Sequence, residues 1–251
     1  MKKRKYDLIF SMGAACSCTA ALRATELQMA SYPFDWLFGS NFHGRANILT
    51  SGFERFIDIG DLEFAFSERS IYCDAYHNKY NDLTFNHDFA TGIDLTETYP
   101  AVRAKYDRRI NRLLTNIENA KSVLIVYIET PDNAEPMTNA KIKSAFDIIR
   151  HRWPNKVIDL VYFSPDYTVP TLKETKITEN ITRVVGNYKS RKENDESYAV
   201  NSSLLKKFFA THYVLEQSFF TRTKRHVLKT LIAIIPSHKT RVRMRNKYHL
   251  G

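Results

Sequence analysis

The stretch Ser122-Val-Leu-Ile-Val-Tyr-Ile128 constrains the fold of this chain more than any other. It carries no charge and does not alternate apolar with polar residues, so both faces of the strand it predicts must be covered. A helical pattern over 139–152 and a second apolar run, Val157-Ile-Asp-Leu-Val-Tyr-Phe163, follow it. Strand, helix, strand in this order is the signature of a parallel βαβ unit. It predicts an α/β fold, a mainly parallel sheet flanked by helices.

The remaining pattern fits around that unit. Tyr6-Asp-Leu-Ile-Phe-Ser-Met12 reads as a strand stopped by Gly13, with an alanine-rich helix over 15–27 behind it. Ser31-Tyr-Pro-Phe-Asp-Trp36 is a proline-fixed aromatic loop, and 46–57 predicts a helix with Ile48, Leu49, Phe53, Phe56 and Ile57 on one side. Shorter strand-like runs at 70–76 and 82–87 suggest a hairpin across 76–81. A long helix is expected over 100–119, its stripe of Val102, Ile110, Leu113, Leu114 and Ile117 flanked by Arg108, Arg109 and Arg112. Thr182–Val185 adds a strand, 190–197 is a charged polar loop, and 201–217 and 224–235 read as helices. The expected organisation is an α/β domain over 1–200 and a helical, basic extension over 201–251.

Charge decides which partners to consider. The formal net charge is +10, from 37 Lys and Arg against 27 Asp and Glu. Residues 1–5 hold four basic groups and 222–251 hold nine, with no acid in either, so the body between them is slightly acidic. A basic face tracking a phosphate backbone is not what this distribution describes, and it argues against nucleic acid. No run reaches the roughly 18 apolar residues of a spanning helix. The basic, apolar start resembles a secretory signal, but Asp7 interrupts it. Three cysteines, Cys16, Cys18 and Cys73, do not form a fully paired set and point to a reducing cytoplasm.

Cys16 follows Gly13 by three residues, at the start of a helix that leaves a strand. Helix N-termini present unpaired N–H groups and the positive end of the dipole, an environment that suits a thiol nucleophile. The competing reading is a small packing residue in an alanine-rich helix. Cys18 points about 200° further round the helix and predicts packing. A thiol nucleophile needs an imidazole base. Of the eight histidines, His226, His238 and His249 lie in the basic tail and His151 at a helix end. His87, closing the strand-like Leu83-Thr-Phe-Asn-His87, is the best placed, with His43, His77 and His212 as further candidates. No histidine or cysteine spacing suggests a metal site and no glycine-rich phosphate loop is present, so neither metal nor cofactor is expected.

Ser11-Met-Gly-Ala-Ala-Cys16, then Leu22-Arg23, then Ser31-Tyr-Pro-Phe-Asp-Trp36, resemble the N-terminal signature of a bacterial family of unknown function described as putative papain-like cysteine peptidases. Phe85-Asn-His-Asp88 and Tyr106-Asp-Arg-Arg-Ile-Asn-Arg112 continue the resemblance, which spans roughly 6–130. It implies a hydrolase or acyl-transfer enzyme with Cys16 as nucleophile, His87 as base and a carboxylate or amide to orient the imidazole. Asp35 and Asp88 are the candidates for that third role, Ser11 and Gly13 belong to the supporting signature, and Arg109 is either a substrate anchor or part of an ion-pair face. The implied substrate is a peptide or a small amide or ester. Papain-like enzymes set the cysteine helix against an antiparallel sheet, whereas here the cysteine follows a strand of a βαβ-like chain.

The tail suggests a location. Val227, Leu228, Leu231, Ile232, Ile234 and Ile235 lie along one side of the predicted helix, opposite Lys224, Arg225 and Lys229. Such a basic amphipathic helix fits either docking on the domain or binding an anionic membrane surface through 222–251, at the inner face of the membrane. The pattern Ile-Pro-Ser-x-Lys-x-Arg-x-x-x-Arg also resembles the endings of bacterial surface-polysaccharide glycosyltransferases. The rival to an enzyme is a non-catalytic module that binds a nucleotide-sugar or protein at the membrane. Oligomeric state is not encoded in any of these features.

Overall fold

The computed structural model describes residues 2–13, 15–68, 72–129, 136–166, 168–188, 202–216, 219–237, 239–241 and 244. In chain order these form β1 (Arg4–Tyr6), β2 (Leu8–Gly13), α1 (Ala15–Ala24), β3 (Leu37–Gly39), α2 (Phe42–Thr50), β4 (Leu62–Glu68), β5 (Cys73–Asn78), β6 (Leu83–Ala90) and α3 (Leu95–Asn119). There follow β7 (Ser122–Ile128), α4 (Asn139–Arg152), β8 (Val157–Pro165), β9 (Lys173–Thr178), β10 (Ile181–Gly186), α5 (Ser203–His212), β11 (Tyr213–Leu215) and α6 (Phe219–Ala233).

The main sheet has the order β2-β7-β8-β10-β9, parallel except for β9 at its edge. The unbroken apolarity of β7 has the cause expected of it. Val123, Ile125 and Tyr127 enter one core with α2, α3 and α4, and Leu124, Val126 and Ile128 enter another with α1 and α5. Consequently α1, which follows β2, and α4, which follows β7, lie on opposite faces of the sheet. The carboxyl end of β2 leads through Gly13 towards α1, at the end of the strands where open α/β sheets receive ligands.

Between α1 and α3 the chain inserts a second, antiparallel sheet of order β3-β6-β5-β4. Its central hairpin, β5 and β6, is the expected one. The outer strands have no sequence signature: β3 is three residues long, and β4 is an edge strand exposed along most of its length. The helix expected over 46–57 runs from Phe42 to Thr50 instead. Beyond it Gly52, Phe53 and Arg55 all have positive φ, so Phe53, Phe56 and Ile57 reach the core from a turn. Likewise the helix expected over 201–217 stops at His212, because Tyr213-Val-Leu215 pairs in parallel with β1. Leu205, Phe208, Phe209 and Tyr213 are buried in the α1 core, which joins this part of the C-terminal stretch to the α/β body. The 190–197 loop lies outside the described residues.

The two sheets meet at Arg45. This α2 side chain is fully buried, yet among the described residues no carboxylate forms an ion pair with it. Its guanidinium donates instead to four backbone carbonyls: Nη1 to Met12 at 3.0 Å, Nη2 to Leu37 at 3.0 Å and Gly39 at 2.7 Å, and Nε to Ser40 at 2.9 Å. One planar group thus ties the end of β2 to β3 and to the entry of α2. Replacing Arg45 by Ala leaves all four carbonyls without this donor, and the expected cost is at least about 3 kcal/mol in urea unfolding. Arg45→Lys, with a single donor centre, recovers only part of that loss.

Candidate active site

The nucleophile candidate is positioned by a turn that only a particular backbone permits. Gly13 ends β2 with φ +122°, and a Cβ there would lie 2.4 Å from Arg45 Nη1. Ala15 follows with φ +57°, unusual for a residue with a side chain. This sharp strand-to-helix passage makes Cys16 the second residue of α1 and leaves it half-buried. Ser11 supports the turn, its Oγ accepting from the Gly13 N–H at 3.1 Å and its own N–H donating to Gln28.

His87 comes from the antiparallel sheet. Its Nε2 lies 3.8 Å from Cys16 Sγ, a separation at which a thiol and an imidazole hydrogen-bond. The pairing of β5 with β6 shifts register between Asp74 and Tyr76, opposite the segment that carries His87 and Asp88. Such an irregularity re-aims side chains. His87 meets Cys16, whereas Asp88 turns to α3, accepting from the Tyr106 hydroxyl at 2.7 Å and from Lys105.

Two opposing effects act on the Cys16 thiol. Burial pushes it up and its own backbone N–H pulls it down, and burial prevails. At neutral pH Cys16 therefore rests as a thiol. Cys18 is a packing residue, as expected: fully buried, bonded to the Val126 carbonyl at 3.5 Å, and pushed by burial up to about 12.

The structure does not bring Asp35 to the imidazole. The Asp35 carboxylate is fully buried and accepts from Thr19 Oγ1 at 2.8 Å, Arg23 Nη2 at 3.2 Å, Gln28 Nε2 at 2.9 Å and the Tyr32 N–H at 3.0 Å. Burial pushes its carboxyl up and these donors pull it back. Its ion-pair partner is Arg23, not Arg108 or Arg109. Among the described residues no side chain bonds His87 Nδ1. Arg109 lies over the Tyr106 ring at 5.1 Å, and Arg112 donates to the Ser31 carbonyl. His43, His77, His151 and His212 bond to neighbours away from Cys16. The side chains of His226, His238 and His249 lie outside the described residues.

Arg45 and Trp36 escaped the sequence reading. Arg45 sits in a helix of weak amphipathic pattern, and only coordinates reveal that four carbonyls face it. Trp36, half-buried with φ +71°, belongs to a loop whose aromatic content was visible but whose orientation was not.

A model of a protein family described as putative papain-like cysteine peptidase matches residues 7–152, from the start of β2 to the end of α4. No curated protein and no solved structure matches the chain.

If Asp35 acts as a structural hub, Asp35→Asn sets an amide N–H₂ against its donors and costs about 2 kcal/mol or more in urea unfolding. In the folded variant the pH profile of Cys16 alkylation stays that of the parent. A shifted profile would assign Asp35 to the imidazole after all.

Proposed function

The chain belongs to this family, and from that premise we propose that it is a cysteine hydrolase, or an acyl-transfer enzyme of the same chemistry, using Cys16 and His87. The observation that carries the reading is the 3.8 Å approach of Cys16 Sγ and His87 Nε2, made by elements more than 70 residues apart at the start of a helix. Conversely, the raised thiol favours the rival reading of Cys16 as a spectator in a binding module.

In the proposed reaction His87 takes the thiol proton as sulfur attacks the substrate carbonyl carbon. The tetrahedral oxyanion develops near the first-turn amides of α1, which with the helix dipole favour negative charge. Collapse expels the leaving group, which receives the proton from His87, and an acyl-enzyme remains. Water then attacks the acyl carbon with His87 as base, and the acid and the free thiol are restored. A peptide, amide or ester fits this scheme.

We place the enzyme at an anionic membrane surface through its tail. In α6, Ile232 is buried and Lys229 pairs with Glu26, two residues past the end of α1. Val227, Leu231 and Ile234, spaced by four and three residues, face outward. This exposed ridge and the excess of basic residues in 222–251 support the placement. Among the described residues no helix is long and apolar enough to cross a membrane. A setting beside surface-polysaccharide synthesis draws its support from the likeness of the tail sequence.

Cys16→Ala abolishes turnover of an activated ester or peptide, and His87→Ala lowers kcat by about 10²- to 10⁴-fold with the fold intact. Alkylation of Cys16 by iodoacetamide rises with pH through a midpoint above the ~8.5 of a free cysteine, the sign set by burial. Turnover unchanged in both variants would leave the binding-module reading. Liposome flotation tests the tail: recovery on anionic but not neutral vesicles, lost when 222–251 are removed. Equal recovery on both kinds of vesicle would contradict an electrostatic anchor.

A further inference from the structure

Cys16, Ala20 and Arg23 are the half-buried residues of α1 up to Arg23 and are spaced by four and three, so they share one outward stripe of the helix. The stripe runs about 10 Å along the axis from the sulfur to Arg23. Trp36 stands at its far end, the Arg23 guanidinium carbon 5.4 Å from the ring centroid. The next residue, Leu37, starts β3 and pairs with Phe85, two residues before His87. Trp36 thus lies between the helix that carries the nucleophile and the strand that carries the base.

Its position is imposed on it. The backbone of Trp36 is in the left-handed region, φ +71°, where a bulky residue is held only by its surroundings, at a cost of about 1–3 kcal/mol. Those surroundings are the Asp35 hub on one side and the β3 ladder on the other. The ring remains half-exposed, and among the described residues nothing accepts its indole N–H. Ala20, with a single methyl group, leaves the stripe between the sulfur and the tryptophan shallow.

We propose that this stripe is a substrate subsite whose wall is Trp36, taking a planar aromatic group borne on the acyl side of the substrate. An aromatic ring laid against Trp36 gains apolar burial and the offset or edge contact that ring pairs favour, while the attached carbonyl reaches Cys16. Arg23 lies over the Trp36 ring and is itself fixed by Asp35. The proposal rests on the cysteine-hydrolase reading for the word substrate, but the placement of the stripe and of Trp36 is independent of turnover.

The test therefore reads the thiol and not the reaction. Cys16 in the full chain is alkylated with two iodoacetamides, N-methyl and N-(4-phenylbutyl), and second-order rate constants are compared. The parent is expected to react about tenfold faster with the aryl reagent, the effect of one good aromatic contact. Trp36→Ala abolishes the preference, Trp36→Phe keeps part of it, and Ala20→Leu removes it by filling the stripe, each read as the ratio of the two rate constants. Should Trp36→Ala fail to fold, Ala20→Leu alone decides. Equal rates in the parent, or a preference that survives Trp36→Ala or Ala20→Leu, would overturn the subsite. Loss of all ester turnover with the preference intact would instead count against the hydrolase reading alone.

Discussion

A buried guanidinium with no carboxylate paired to it among the described residues holds this molecule together. β2 is an edge strand of the parallel sheet, and its pairing with β7 shifts between Ser11 and Gly13. β3, at the edge of the other sheet, offers the Leu37 and Gly39 carbonyls to Arg45. Edge carbonyls in a dry interior need donors, and a guanidinium supplies five in one plane. Burial pushes the Arg45 guanidinium down, but its ordinary value is so high that the charge persists. The cost of burying that charge is offset only because carbonyl dipoles surround it. The glycine that precedes Cys16 then follows as a necessity, since any side chain at Gly13 would collide with the group that closes the interface.

Asp35 plays the corresponding part on the other side of α1. Its carboxylate fixes the aromatic loop to Thr19 and Arg23, and Arg112 and Asn116 of α3 reach the same loop through Ser31 and Tyr32. Tyr106 of α3 then holds Asp88, next to His87. Motif pieces far apart along the chain are in this way joined by direct hydrogen bonds. Most of the polar residues among them carry structure, and the pair free to act on a substrate is small.

The parts of the fold that were legible in sequence are those whose side chains answer to one layer. β7 and α4 have patterns set by burial alone, and the strand, glycine turn and helix around Cys16 follow from Gly13 and the apolar run before it. What was not legible depended on contacts between distant segments. β4 is exposed and so carries no burial pattern, and Tyr213–Leu215 is a strand only because β1 lies beside it. Asp35 was singled out as an acid in a rigid loop, but its carboxylate is met by three side-chain donors from outside the loop and by the Tyr32 N–H within it. The contrast with a papain-like arrangement also softens: the cysteine helix does follow a parallel strand, yet His87 belongs to an antiparallel sheet.

The protonation state of the pair follows from these commitments. A helix start favours a thiolate, and so would an imidazolium held by a carboxylate. Burial outweighs the first effect at Cys16. Among the described residues the second finds no carboxylate at His87, because Asp35 bonds the loop and Asp88 bonds Lys105 and Tyr106. On the proposed reading the proton therefore moves to His87 only as sulfur bonds to carbon, and the barrier depends on how well the first turn of α1 receives the charge that moves onto the oxygen.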